Sequence, residues 1–181
     1  MKYKKYISLV MVVLGCFAFF GCGQDELSLR IKKAKKGDVE SQHLLGDAYY
    51  AGTEVEQDLT EALKWYRLAA EQGDEASRLQ MGRAYYSGKG VPQNDTEAMK
   101  WLRPLAMRGN AEAQLMVGSF YYMGAGVKQD YAVAYAWCNT PLTQKNKTAV
   151  KLRGKCIQKM SSSDKERANV LSKAFTENNS N

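Results

Sequence analysis

The chain is poor in the residues that most sites of chemistry need. It has one histidine, His43, in 181 residues, along with four cysteines and three prolines. His43 is read as having neither a cysteine nor a carboxylate partner at ligand spacing, so it is expected to be a surface residue and no metal site is expected. No G-x-S-x-G, HExxH or phosphate-binding loop is present. No carboxylate pair is isolated within an apolar run. A non-catalytic protein is therefore expected, with no cofactor and no small-molecule substrate. Nor do Lys and Arg interleave with aromatics in a stripe, which argues against nucleic acid as a partner. The formal net charge is +7, and without Lys2, Lys4 and Lys5 it falls to about +4, only mildly basic.

Long apolar runs are scarce too. The longest, ISLVMVVLGCFAFF, has 14 residues, short of the roughly 20 that a spanning helix requires. It follows the basic segment MKYKKY and precedes Gly21-Cys22 and polar Gly23-Gln24-Asp25-Glu26. That is the layout of a secretory signal peptide. A small residue directly before a cysteine at its end resembles a bacterial lipobox, which implies cleavage before Cys22 and acylation of that residue. Phe19 stands where the lipobox usually has Leu, and Gly15-Cys16 is a competing site. Cys22 is preferred, since cutting at Cys16 would leave FAFF at the mature N-terminus. Gly23, rather than Asp, after Cys22 implies by the same resemblance a lipid-anchored protein of the outer membrane facing the periplasm. Export leaves Cys138 and Cys156 in a compartment that permits disulfides. A bridge would stabilise by about 3 kcal/mol. However, an antiparallel hairpin centred near Gln144 sets the two more than a helical turn out of register. Small buried apolar residues are the other reading.

What the sequence has in abundance is a repeat. Gly37, Gly73 and Gly109 are 36 residues apart, as are Gly46, Gly82 and Gly118. The pairs Tyr49-Tyr50, Tyr85-Tyr86 and Tyr121-Tyr122 keep the same lag, and so do Trp65, Trp101 and Trp137. A fixed period of this length marks stacked supersecondary units. Each copy reads as helix A, a glycine-bearing connector and helix B. Asp38, Asp74 and Asn110 are N-cap types for helix A, and Asp58, Asn94 and Asp130 lead into helix B. Ser41, Leu45, Ala48 and Tyr49, with their counterparts, form the buried stripe of helix A. The recurring glycine at 46, 82 and 118 costs about 1 kcal/mol of helix propensity. Its recurrence implies a neighbouring helix too close for a Cβ. Glu54 replaces the second connector glycine found at Gly90 and Gly126, so a strained left-handed residue is expected there. A kink is expected at Pro104, and an early helix end near Pro141.

The division that follows is a signal peptide over 1–21, an anchored N-terminus with a capping helix over 22–36, and three repeats over 37–144. Capping helices over 145–175 and a frayed tail over 176–181 complete it. Leu27, Ile31 and Ala34 form the apolar face of the first cap. Ser163 with Glu166 is a capping box for the last helix, whose apolar face is Ala168, Leu171 and Phe175.

The pattern GD-x-x-AQ-x-x-LG-x-x-YY-x-G-x-GV-x-QD-x-x-A-x-x-W resembles the Sel-one-like repeat family, relatives of the tetratricopeptide repeat. The resemblance implies an all-α, right-handed α-solenoid used as an adaptor surface. Its anchored members serve in envelope assembly, host interaction and signalling, and some are similar to immunity proteins that block phospholipase toxins. Two functions are therefore expected in order. The first is a periplasmic scaffold for an envelope protein. The second is an immunity lipoprotein that neutralises a toxin effector. In such solenoids helix A lines the concave face. Its outward stripe reads His43, Asp47 and Tyr50, then Leu79, Arg83 and Tyr86, then Leu115, Ser119 and Tyr122. These nine residues are the candidate partner-binding set, and in the middle copy Leu79, Arg83 and Tyr86 are the ones left free to recognise something.

Overall fold

A computed structural model describes residues 25–177, and those residues are all-α, with no strand among them. Cys16, Cys22 and the tail beyond Glu177 lie outside the described residues. The chain divides between Gln72 and Gly73 into two compact units. The first holds α1 (25–35), α2 (Val39–Ala51) and α3 (Leu59–Glu71). The second holds α4 (Glu75–Ser87), α5 (Asp95–Met107), α6 (Ala111–Met123), α7 (Tyr131–Cys138), α8 (Lys147–Lys159) and α9 (Ser162–Glu177).

The repeat is visible in the capping chemistry. Asp38, Asp74 and Asn110 each accept a hydrogen bond from the backbone N–H three residues on, closing the N-termini of α2, α4 and α6. Asp58, Asn94 and Asp130 do the same for α3, α5 and α7. Each such cap is worth about 1 kcal/mol. At the other end, Gly52, Gly88 and Gly124 turn left-handed and return their N–H to Ala48, Ala84 and Phe120. The connector then folds back, so that the N–H of Asp58, Asn94 and Asp130 meets the carbonyl of Tyr49, Tyr85 and Tyr121 at 2.9–3.0 Å. Gln57 and Gln129 also donate from Nε2 to the carbonyls of Tyr50 and Tyr122. That gives the recurring connector glutamine a structural task.

The close helix contact inferred from the helix A glycine is present in every copy. A Cβ on Gly46 would lie 2.6 Å from the Tyr66 ring, on Gly82 2.5 Å from Leu102, and on Gly118 2.6 Å from Cys138 Sγ. Positions 66, 102 and 138 are equivalent in the repeat, so the same helix B position closes on the helix A glycine in every copy. Ala62, Ala98 and Ala134, one turn before, are fully buried. In the second unit α5 packs on α4 and α6, and α7 packs on α6, α8 and α9. Leu102, Leu105, Val117 and Phe120 form the centre of one core cluster there. Cys138, Ala149 and Cys156 belong to a second.

Three expectations need correction. Glu54 is not left-handed, because no residue other than glycine has positive φ among those described. It takes an ordinary backbone and reaches Arg30, whose Nη1 donates to both carboxylate oxygens at 2.6 Å. The capping box of the last helix is Ser161 with Asp164, two residues earlier than Ser163 with Glu166. The last helix does not fray at 175 but runs to Glu177. Of the two readings of Cys138 and Cys156, the structure matches the buried apolar one: both are free thiols in the same cluster.

The two prolines behave differently. α5 continues through Pro104 to Met107. Leu102, Leu105 and Ala106, all fully buried, hold the turn that the missing N–H weakens. α7 stops at Cys138, three residues short of Pro141. The turn that follows is fastened by buried hydroxyls: Thr140 donates to Gln114 Oε1 at 2.5 Å, and Thr140 and Thr143 lie 3.0 Å apart.

Candidate interaction surfaces

In the first unit His43, Asp47 and Tyr50 lie along α2, but two of them are occupied within the fold. The Tyr66 hydroxyl donates to Asp47 Oδ1 at 2.6 Å, while His43 Nε2 stands 3.4 Å from Asp47 Oδ2. The His43 ring also lies 5.8 Å from the Tyr66 ring. Burial, and then the bond to Asp47, raises the pKa of Tyr66 well above its ordinary value, so it stays a neutral donor. Asp47, one helical turn from His43, is thus the carboxylate partner that the sequence reading passed over. Among the described residues no group of three or more metal-ligating side chains comes together. Tyr50 remains 40% exposed.

In the second unit Leu79 and Leu115 point largely into the cores. Arg83 is not free: its Nε donates to Glu112 Oε1 at 2.7 Å, tying α4 to α6. Ser119 caps back onto the Leu115 carbonyl. Tyr86 packs edge-on against Phe120 with centroids 5.4 Å apart, and Tyr122 lies 5.5 Å from Tyr131. Of the six candidates here, Tyr86, at 41% exposed, offers the most uncommitted apolar area.

A feature that the sequence did not disclose lies on the helix B side of this unit. Where α9 returns across α5 and α7 it leaves a hollow of about 290 Å³. Tyr121, Val133, Trp137 and Phe175 form its floor, the last two stacked at 4.1 Å, with Met107 at its edge. A second hollow, of about 330 Å³, shares Arg103 and Met107 and continues toward Thr96 and Met99. Arg103 stands between the two and makes no hydrogen bond or ion pair among the described residues. Lys100, three residues before it, is paired with Glu97. The arrangement suits an apolar side chain with a negative charge next to it.

The two buried cysteines are held in their neutral form. Burial pushes the Cys138 thiol up to about 12 and the Cys156 thiol up to about 11, so neither is a thiolate at neutral pH. No helix among the described residues is long and apolar enough to cross a membrane.

The tandem helix pairs define the class. A model of the Sel1 repeat matches residues 39–74, 76–110 and 111–139, and the chain belongs to the Sel1 repeat family. Such proteins act as protein–protein interaction scaffolds and are generally non-catalytic. Among solved structures, one similar to this chain is a protective antigen of uropathogenic Escherichia coli displaying an SLR fold. It is 26% identical with a TM-score of 0.61, over 84% of this chain and 40% of that one. This chain thus spans less than half the length of that structure. Another is a Sel1 repeat protein from Oxalobacter formigenes, 33% identical with a TM-score of 0.62, over 72% of this chain and 98% of that one. No curated protein matches the chain significantly.

Proposed function

We propose that this chain is a non-catalytic scaffold that binds a partner protein, held in the bacterial envelope by a lipid at Cys22. The binding reading rests on one observation above the rest: two neighbouring apolar hollows in the second unit that share Arg103, which has no partner among the described residues. Interfaces draw most of their affinity from a few buried anchors, and such anchors need a recess to enter. Tyr86 on the helix A side is the other surface a partner would use, with Tyr offering contact area at low entropic cost. The envelope location and the lipid are supported by the basic segment, apolar run and Gly21-Cys22 of the N-terminus.

The test is site-specific photo-crosslinking in cells, with the probe at Met107 in one strain and at Tyr86 in another. One defined protein crosslinked at Met107 and lost in Arg103→Glu supports the reading. The absence of any discrete adduct at either position contradicts it. If that protein is an antibacterial effector, the scaffold is of the immunity kind. Intact mass of the mature N-terminus decides between Cys22 and Cys16.

A further inference from the structure

We propose that α8 is a docking face for an anionic phospholipid surface, separate from the partner-binding hollows. Between Asp130 and Asp164 the chain has no acidic residue, yet it carries Lys145, Lys147, Lys151, Arg153, Lys155 and Lys159. Four of the lysines, 147, 151, 155 and 159, recur every fourth residue along α8 and are exposed. Such spacing stacks like charges one turn apart, which destabilises a helix. Lys147 also sits in the first turn, where α2 to α6 each place an acidic residue and where the helix dipole disfavours a cation.

Elsewhere the chain neutralises such lysines: Lys64 pairs with Glu61 and Lys100 with Glu97 at three-residue spacing. The five lysines of this stretch make no ion pair or side-chain hydrogen bond among the described residues. Val150, three residues from Lys147, is 46% exposed, and the space above Gly154 is open to at least 4 Å. The inner side of the helix is fixed by Ala149, Leu152 and Cys156, so the lysine side faces outward.

The chemistry favours a lipid surface over a protein. Protein interfaces favour Arg and aromatics and are depleted in Lys. Here five cations of six are lysine, and no aromatic lies on α8. The two hollows are lined from α5, α6, α7 and α9, and by Gly126, with nothing from α8. A ladder about 18 Å long on an outward helix side matches an extended charged plane rather than a recessed ligand. Clustered, exposed lysines are what anionic headgroups attract.

The test floats the full chain, diluted from detergent, on vesicles of phosphatidylcholine with and without 30% phosphatidylglycerol. The full chain is expected to prefer the anionic vesicles by about tenfold or more, with the preference shrinking as salt rises. Lys147→Glu with Lys155→Glu is expected to abolish that preference. The same pair converts the ladder into alternating Glu and Lys, so the melting temperature should rise by about 2–5 °C. Loss of binding therefore cannot come from a broken helix. Lys89→Glu with Lys128→Glu, in the connectors, changes net charge equally and is expected to keep the preference. The proposal is overturned if the α8 pair keeps the preference or the connector pair loses it equally. Tighter binding of duplex DNA or poly-glutamate than of anionic vesicles at matched salt overturns it as well.

Discussion

Gly82 and Gly154 are the same residue in the middle of helices of the same length, 13 residues each. Over Gly82 an added Cβ would lie 2.5 Å from two atoms of Leu102, whereas over Gly154 nothing lies within 4 Å. In the repeats a helix glycine therefore marks the point of closest approach between two helices. In α8 it marks a side with no neighbour. The charges divide the same way: Arg83 with Glu112 and Arg108 with Glu75 are paired within the repeats, and the lysines of α8 are not. The repeats spend their special residues on packing, and the closing helices leave theirs exposed.

The largest effect should come from extending this contrast to the connectors. Gly126 has φ +66°, and a Cβ there would meet backbone atoms of Asp95 and Thr96 at 2.7–2.8 Å. Backbone cannot swing aside, so Gly126→Ala should cost about 2–4 kcal/mol in urea denaturation, from left-handed strain plus overlap. Its counterpart in the first copy, Glu54, already has ordinary φ. Glu54→Gly should cost less than about 1 kcal/mol, the scale of one exposed ion pair. Equal losses at the two sites would show that the connectors do not differ as described.

A second effect separates the buried thiols from the exposed cations. Burial raises Cys138 from 9.0 to about 12, so its neutral form is the one the fold accommodates. A raised folded pKa gives stability that is complete below the unfolded value and lost as pH climbs through the folded one. The melting temperature should therefore fall between about pH 9 and pH 12, and Cys138→Ala should flatten that limb. Native thiols should resist alkylation at neutral pH.

A smaller effect concerns the contact that holds α9 to α7. Arg167 donates to both oxygens of Asp130 at 2.7 and 2.9 Å. Burial alone would raise the Asp130 pKa, but the bonds from Arg167 and from the Val133 N–H outweigh it and lower it below the ordinary carboxylate value. A lowered folded pKa gives stability that is complete above the unfolded value and lost as pH falls through the folded one. Arg167→Ala should cost up to about 1 kcal/mol at neutral pH. It should also remove part of the acid-side loss expected of the wild-type chain. An unchanged acid limb would place that loss elsewhere.

The repeat body was readable because its rules are local and occur three times. Asp58 and Asn110 announce helix starts by side-chain chemistry alone, and a glycine recurring at 46, 82 and 118 cannot be chance. What stayed hidden depended on partners distant in sequence. Glu54 keeps an ordinary backbone, and its side chain is answered by Arg30, twenty-four residues away. Asp47 is committed to Tyr66, nineteen residues away, and the hollow beside Arg103 exists only once α9 folds back. The shift of the capping box from Ser163 to Ser161 shows the limit of a three-residue motif, since a run of serines offers more than one register. The lysine ladder was visible as letters. Its meaning came from the absence of any acid near enough to answer it.

The central contrast is tested most directly by Gly82→Ala and Gly154→Ala in parallel urea denaturation. Gly82→Ala should lower stability by about 1–3 kcal/mol, since the overlap with Leu102 exceeds the gain in helix propensity. Gly154→Ala should raise it by up to about 1 kcal/mol, since propensity is gained with nothing to displace. Opposite signs are the predicted result. Two losses of similar size would mean that the outer side of α8 is covered after all and would contradict the account.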